Sequence, residues 1–371
     1  MKNFFFQPEY VSRFKCDGTN CGSNCCTRPW NIVVDEATYE KFSRLGEREI
    51  LDHINFHAGR KQFLLERPCP FLTAQGLCGL QLERGENFLP ADCATYPRVT
   101  RQLGKIFEQS LTLTCPVAAE MILFEREPMK FEFVAVEDER FGVTPLKIPE
   151  KFLPHVVDIQ IALISILQER TLSIDQRLIV LGFFFDRLEE IFANPNEDAL
   201  TKFLAAYESK KFFASQVPLM IQSVHFDGKN FVRLISDLLD EIYGDGSRAE
   251  HLEAVITDYE NLRGDRKIFA AQYSTFLENY LVNEIFMNCY PWRFTETISD
   301  NFAIFAATYK IFELMMFSSM RAGFKSKADL LKFVDWFTVQ IDHTPGVYEK
   351  IFRRVKKIGD TFALLETLTE N

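Results

Sequence analysis

Beyond residue 154, apolar residues recur at spacings of three and four, the period of helices that turn one face to a core, and the pattern runs almost to the end of the chain. It predicts helices over residues 154–170, 174–193, 197–208, 229–243, 248–263, 266–289, 300–320, 326–342 and 345–369. Ser173, Asp227, Asp300 and Ser326 stand where a side chain accepts from first-turn amides, and Gly244, Gly264 and Gly323 stand where helices stop. No repeat period is present, so the region reads as an all-α domain and not as a solenoid.

The first 140 residues are patterned differently. Residues 31–34 read as a short strand, Asp35 as the cap of an amphipathic helix over 36–45, and residues 47–58 as a second helix. Residues 80–86 form a helical turn, residues 98–104 and 105–114 alternate around Leu103-Gly104 as a β-hairpin does, and Pro116 opens a helix after Cys115. Residues 129–136 alternate like a strand. Charges, Gly142, Pro145 and Pro149 mark residues 137–151 as a linker. The expected fold class is α+β, predominantly α-helical: a small cysteine-rich metal-binding domain with a β-hairpin over residues 1–140, then an all-α domain over residues 141–371.

Composition narrows the function. The 371 residues are 47% hydrophobic and 25% charged, which fits a folded protein and neither a disordered tail nor a membrane bundle. The 37 Phe residues supply ring surface for helix interfaces. The net charge of -10 lies entirely after residue 120, since residues 1–120 hold 14 basic and 14 acidic side chains. A basic footprint for nucleic acid is therefore missing from both parts. The start, with three Phe and then Pro8 and Glu9, is too short an apolar run for a secretory signal, and no apolar stretch of about 18 residues is uninterrupted. The expectation is a cytoplasmic protein that binds neither nucleic acid nor membrane.

Eight of the nine cysteines fall at or before residue 115: Cys16, Cys21, Cys25, Cys26, Cys69, Cys78, Cys93 and Cys115. In a reducing compartment such clustering points to metal or cluster ligation before disulfides. Paired Cys-x2-Cys knuckles are missing, which tilts the reading from zinc towards iron–sulfur, with zinc retained. Adjacent Cys25 and Cys26 are awkward for one ion if the backbone is extended, because neighbouring side chains then diverge. Turn residues between the cysteines, Gly76 and Gly79 among them, let backbone wrap a small inorganic centre. His53 and His57 stand four apart, one face of a helix, but without a carboxylate motif between them they read as surface or core histidines. Cys289 reads as a buried thiol.

Phosphate-cradling glycine motifs, the G-x-S-x-G elbow and H-E-x-x-H are all lacking, and Cys21-x3-Cys25 begins a radical S-adenosylmethionine motif that Arg28 breaks. The strings Cys69-Pro70-Phe71-Leu72, Gly76-Leu77-Cys78, Asp92-Cys93, Thr95-Tyr96-Pro97-Arg98 and the run from Ser110 to Pro116 resemble the flagellin lysine-N-methylases, as does the stretch from Glu278 to Phe286. The N-terminal part is also similar to broader zinc- or iron-chelating cysteine-cluster domains. The resemblance implies methyl transfer from S-adenosylmethionine to lysine ε-amines of flagellin, assisted by an iron–sulfur cluster of the 4Fe–4S type, and it matches all eight clustered cysteines to the family's. Tyr96 and Arg98, close to Cys93, are then placed to contact the donor's carboxylate or the target, or else to buttress the cysteine loop. Two other readings stay open: a non-catalytic zinc- or iron-chelating or redox-sensing protein whose helical domain binds a partner, and a structural zinc site without catalysis.

Overall fold

The computed structural model describes residues 3–16, 25–28, 30–58, 62–136, 143–146, 148, 150–194, 196–244 and 249–370. Its strands are β1 (Asn3–Pro8), β2 (Ile32–Val34), β3 (Ile54–His57), β4 (Gln62–Leu65), β5 (Arg98–Leu103), β6 (Ile106–Leu111), β7 (Phe131–Val136) and β8 (Val143–Pro145). Among the described residues, every element after residue 155 is a helix. The fold is α+β and predominantly helical, as the patterning predicts. By contacts the chain divides into one unit of Met1–Ala119 with Lys130–Pro145 and a second of Glu120–Met129 with Leu146–Asn371.

The first unit carries two sheets. One has five strands in the order β7-β1-β6-β5-β8, the other three in the order β2-β4-β3. The predicted hairpin is β5 and β6, antiparallel with Leu103 opposite Ile106. β1, which the patterning did not predict, pairs parallel with β6 and antiparallel with β7. Its Phe5 and Phe6 are buried, so the apolar start of the chain is a core strand. Over residues 47–58 the structure departs from the predicted helix: only Arg48–Leu51 is helical, and β3 follows. The Asn-Phe alternation from Ile54 pairs with Phe63 to Leu65 of β4, which a lone helical window cannot reveal. His53 and His57 consequently do not share a helix face; His53 Nδ1 lies 2.7 Å from Glu66 at the surface.

The capping predictions fare unevenly, for local reasons. Asp35, Ser173, Asp227 and Ser326 each accept from a first-turn amide. Asp300 lies inside the first turn of the helix Ile298–Arg321, which Thr297 precedes. Gly264 lies within the helix Arg263–Gln272 and stops nothing. Residues 345–369 form two helices, Val347–Val355 and Thr361–Leu368, separated near Gly359, whose φ is +130°.

The second unit packs these helices through rings. Phe185 meets Phe302 at 5.3 Å, and Tyr280 stacks on Phe312 at 3.8 Å. Among the described residues one helix, Ile298–Arg321, is long and apolar enough to cross a membrane; most of it is buried within the unit, and it includes Lys310 and Glu313. The helix Ser274–Met287 is buried on all sides and carries Glu278 and Glu284 into the interior.

Glu284 gives this core a testable pH dependence. It accepts from Asn288 Nδ2 at 2.6 Å and lies 3.4 Å from the Tyr348 hydroxyl, which donates to Asp342 at 2.6 Å. Burial, with Asp342 adding, pushes its carboxyl up to about 8. A carboxyl raised in the folded state binds a proton there that the unfolded chain has already lost, so stability falls as pH rises from about 4.5 to about 8. Glu284→Gln removes that loss, and we expect it to gain about 1–3 kcal/mol over wild type near pH 8 but not near pH 5. Urea midpoints that run parallel for the two proteins across this range would exclude Glu284 as the titrating group.

Candidate metal centre

Three loops bring the cysteines of the first unit together. Cys25 and Cys26 lie on a short 3-10 turn, Cys25–Thr27. Consecutive side chains on such a turn leave the axis about 120° apart, whereas in extended backbone they point to opposite faces, so the adjacency that looked awkward is relieved. Cys69 and Cys78 bracket a tight loop. Thr73 N donates to the Leu77 carbonyl at 2.9 Å, Gly79 N to the Phe71 carbonyl at 2.7 Å, and Leu72 bridges Cys78. Gly76 holds φ +76°, and a Cβ on Gly79 would stand 3.0 Å from the Phe71 oxygen, so both glycines serve this closure. Cys93 comes from the helix Ala91–Thr95. That helix is anchored by Asp35, which accepts from Ala91 N at 3.0 Å, and by Asp92, which accepts from Val33 N at 3.0 Å. Cys69, Cys78 and Cys93 pack on the small core of Val34, Phe42, Ile50, Leu65, Leu80 and Leu89, which fixes the loops relative to one another.

The thiols of Cys25, Cys69 and Cys78 all hydrogen-bond with that of Cys26. Those bonds lower Cys69 and Cys78 to about 6 and Cys25 to about 7, while the Cys26 thiol is held protonated by the same three contacts. Burial, and then the charges of Cys69 and Cys78, push Cys93 up to about 12. The patch therefore favours negative charge on Cys25, Cys69 and Cys78 around a protonated Cys26, with a neutral Cys93 beside them. Among the described residues no three His, Cys, Asp or Glu side chains are pre-set around a single metal ion. Arg67 completes the surroundings. Its Nη2 donates to the Arg28 carbonyl, tying the Cys25–Cys26 turn to the Cys69 loop, and its Nε is buried without an acceptor. An orphan N–H beside thiolates suits a centre that brings further acceptors, such as inorganic sulfide. The donor set and this orphan fit a thiolate-ligated cluster.

The remaining candidates are placed as follows. Cys16 is exposed, and Cys21 lies outside the described residues. Cys115 is buried within electrostatic reach of Tyr96, and Cys289 is buried in the other unit. The Tyr96 hydroxyl is 3.2 Å from that of Thr114, which is 3.0 Å from that of Thr112, and its ring lies 5.7 Å from Trp30. The Arg98 guanidinium lies over the Phe14 ring at 5.4 Å. Sequence reasoning missed the part played by Arg67, and it named Asp35 as a helix cap and Asp92 beside Cys93 without their anchoring of the Cys93 helix. Arg67-Pro68-Cys69 and Asp92-Cys93 place both types next to ligand candidates, the available signal.

A thiol-rich unit with two sheets and a helical unit thus occur in one chain. A family model described as the FliB lysine N-methylase C-terminal domain matches residues 160–368, and the chain belongs to that family. Among curated proteins it is 28% identical over 155 residues to a lysine-N-methylase of Salmonella typhimurium and, equally, to one of Salmonella choleraesuis. These alignments cover 38% of this chain and 37% of those proteins, so the chain matches little more than a third of their length. A flagellar biosynthetic protein FliU of Salmonella muenchen is 28% identical over 138 residues, 33% of this chain and 79% of that one. No solved structure matches.

Proposed function

We propose that this chain is a protein lysine N-methyltransferase acting on flagellin, that S-adenosylmethionine is its methyl donor, and that Cys25, Cys26, Cys69 and Cys78 hold an iron–sulfur cluster. The observation that carries the reading is the family match over residues 160–368, whose members are lysine N-methylases by description; the name of the FliU relative supports a flagellar substrate. In the reaction the neutral lysine nitrogen bonds to the sulfonium methyl carbon, the carbon–sulfur bond breaks to leave the thioether, and the nitrogen sheds a proton. The enzyme's task is to present that amine unprotonated and in line.

Bound at the thiol patch, the cluster supplies redox and Lewis-acid chemistry. The chain's own contributions there are the thiolates and the Arg67 N–H beside Cys69. Tyr96 and Arg98 are assigned to buttressing the loop, because the hydroxyl of one engages Thr114 and the guanidinium of the other covers Phe14.

The test is anaerobic purification followed by iron and sulfide analysis, then incubation with flagellin and methyl-labelled donor. Label in flagellin lysines is the expected result. Bound zinc or iron with neither donor binding nor transfer would replace this reading with that of a chelating or sensing protein.

A further inference from the structure

The helical unit contains a cavity of about 550 Å³, inside the size range of sites for nucleoside-sized ligands. Five basic and four acidic side chains line it, together with four aromatic ones. Charges inside a helical body cost several kcal/mol each to desolvate, and their collection around one void marks a binding site in preference to a packing device. Lys310, 5% exposed, sits between Asp175 and Glu313, 2.7 Å from the latter. Arg177, 3% exposed, donates from Nε to the Leu172 carbonyl and from Nη1 to the Leu167 carbonyl and to Glu278. Its Nη2 is thereby left without a protein acceptor among the described residues. The Ser274 and Thr275 hydroxyls, which also line the void, engage no partner among the described residues either.

These groups define the ligand. An open guanidinium edge complements a carboxylate, and the first turn of the helix Ile174–Ala193, on the same wall, adds positive potential. Asp175 and Glu313 share the single ammonium of Lys310, so one negative charge is left to complement a cation. The Phe269 and Phe317 rings, 5.4 Å apart, offer apolar surface to a planar base. A molecule carrying a carboxylate, cationic centres and an aromatic base at this size is an adenosyl amino acid.

We propose that this cavity is the binding site of the sulfonium methyl donor, with its carboxylate at Arg177, its cationic groups beside Asp175 and Glu313, and its base against Phe269 and Phe317. The inference rests on the methyltransferase reading above and adds the place where the donor is held. It assigns the donor to the helical unit's own residues and not to the thiol patch.

Equilibrium dialysis of the full-length, iron-loaded protein against S-adenosylmethionine tests it. Ala271 is an exposed lining residue and Thr275 a half-buried one, so Ala271→Trp and Thr275→Trp fill the void without touching its ion pairs. Each is expected to weaken donor binding by at least about tenfold, with circular dichroism, iron content and melting unchanged. Ser319→Trp, which fills a separate aromatic pocket beside Tyr243 and Trp336, serves as the control and is expected to bind normally. Wild-type affinity in both cavity variants overturns the proposal while leaving the methyltransferase reading intact. So does a loss confined to Ser319→Trp, or a loss on removing iron while Ala271→Trp binds normally. A wild-type protein that binds no donor at all overturns the reading and the proposal together.

Discussion

Cys26→Ala is expected to abolish the proposed metal centre, whereas Cys289→Ala keeps it. Cys26 is the thiol on which Cys25, Cys69 and Cys78 converge, so its removal takes away one donor and the contacts that gather the other three. Loss of an outer partner of a metal ligand costs about 10–100-fold in affinity, and loss of a ligand exceeds that. Without Cys26 the other three thiols also lose the contact that most favours their ionised, metal-binding form, which compounds the effect. Because the site's loops pack on the small core around Phe42 and Leu65, melting of the first unit in the iron-loaded protein should fall as well. Cys289 is fully buried in the helical unit and takes no part in the thiol patch. Iron and sulfide analysis of the two variants checks the pair. Full iron in Cys26→Ala would sink the assignment of the patch as the ligand set.

The cysteine loops were legible as a candidate metal site because chemistry concentrates in residue type: eight thiols before residue 116 need no geometry to be noticed. Which of them meet was not legible, since this is settled by the 3-10 turn at Cys25, the bridge between Leu72 and Cys78 and the anchoring of Cys93 through Asp92 to β2. Helices with strong caps, such as Ile174–Ala193 with its Ser173–Gln176 capping box, were legible to the residue. β1 and β3 were not, because each depends on partners distant in sequence: Phe6 opposite Glu108 and Phe133 for the first, Ile54 opposite Leu65 for the second. The cavity of the helical unit was invisible for the same reason. Its walls come from residues near 170, 230, 260, 270, 310 and 370, and of these Glu278 alone lies in the stretches that carry the family resemblance. The structure supplies the physical reason for that stretch: Glu278 carries an ion pair, Asn279 donates to the Glu125 carbonyl at 2.8 Å, and Glu284 is the buried acid.

Glu278→Ala is expected to destabilise the helical unit by about 3–5 kcal/mol, the range for breaking a buried ion pair from one side. Glu278 is 1% exposed and accepts from Arg170 Nη2 at 2.8 Å and from Arg177 Nη1 at 2.8 Å. Arg177 is 3% exposed, and burial lowers it against the pull of Glu278, so without the carboxylate a guanidinium stays inside with no counter-charge. Arg170 is 37% exposed and can turn to water, so Arg170→Ala should cost about 1 kcal/mol or less. The asymmetry between the two arginines is the informative part. If the buried charge left behind is what destabilises, Arg177→Met combined with Glu278→Leu should recover much of what Glu278→Ala loses, since apolar side chains of similar volume replace buried pairs with little penalty. Urea denaturation of the three variants measures this. A Glu278→Ala cost below about 1 kcal/mol would show that the buried ion pair contributes little to the fold, and a double variant no more stable than Glu278→Ala would show that the unpaired Arg177 charge is not what destabilises.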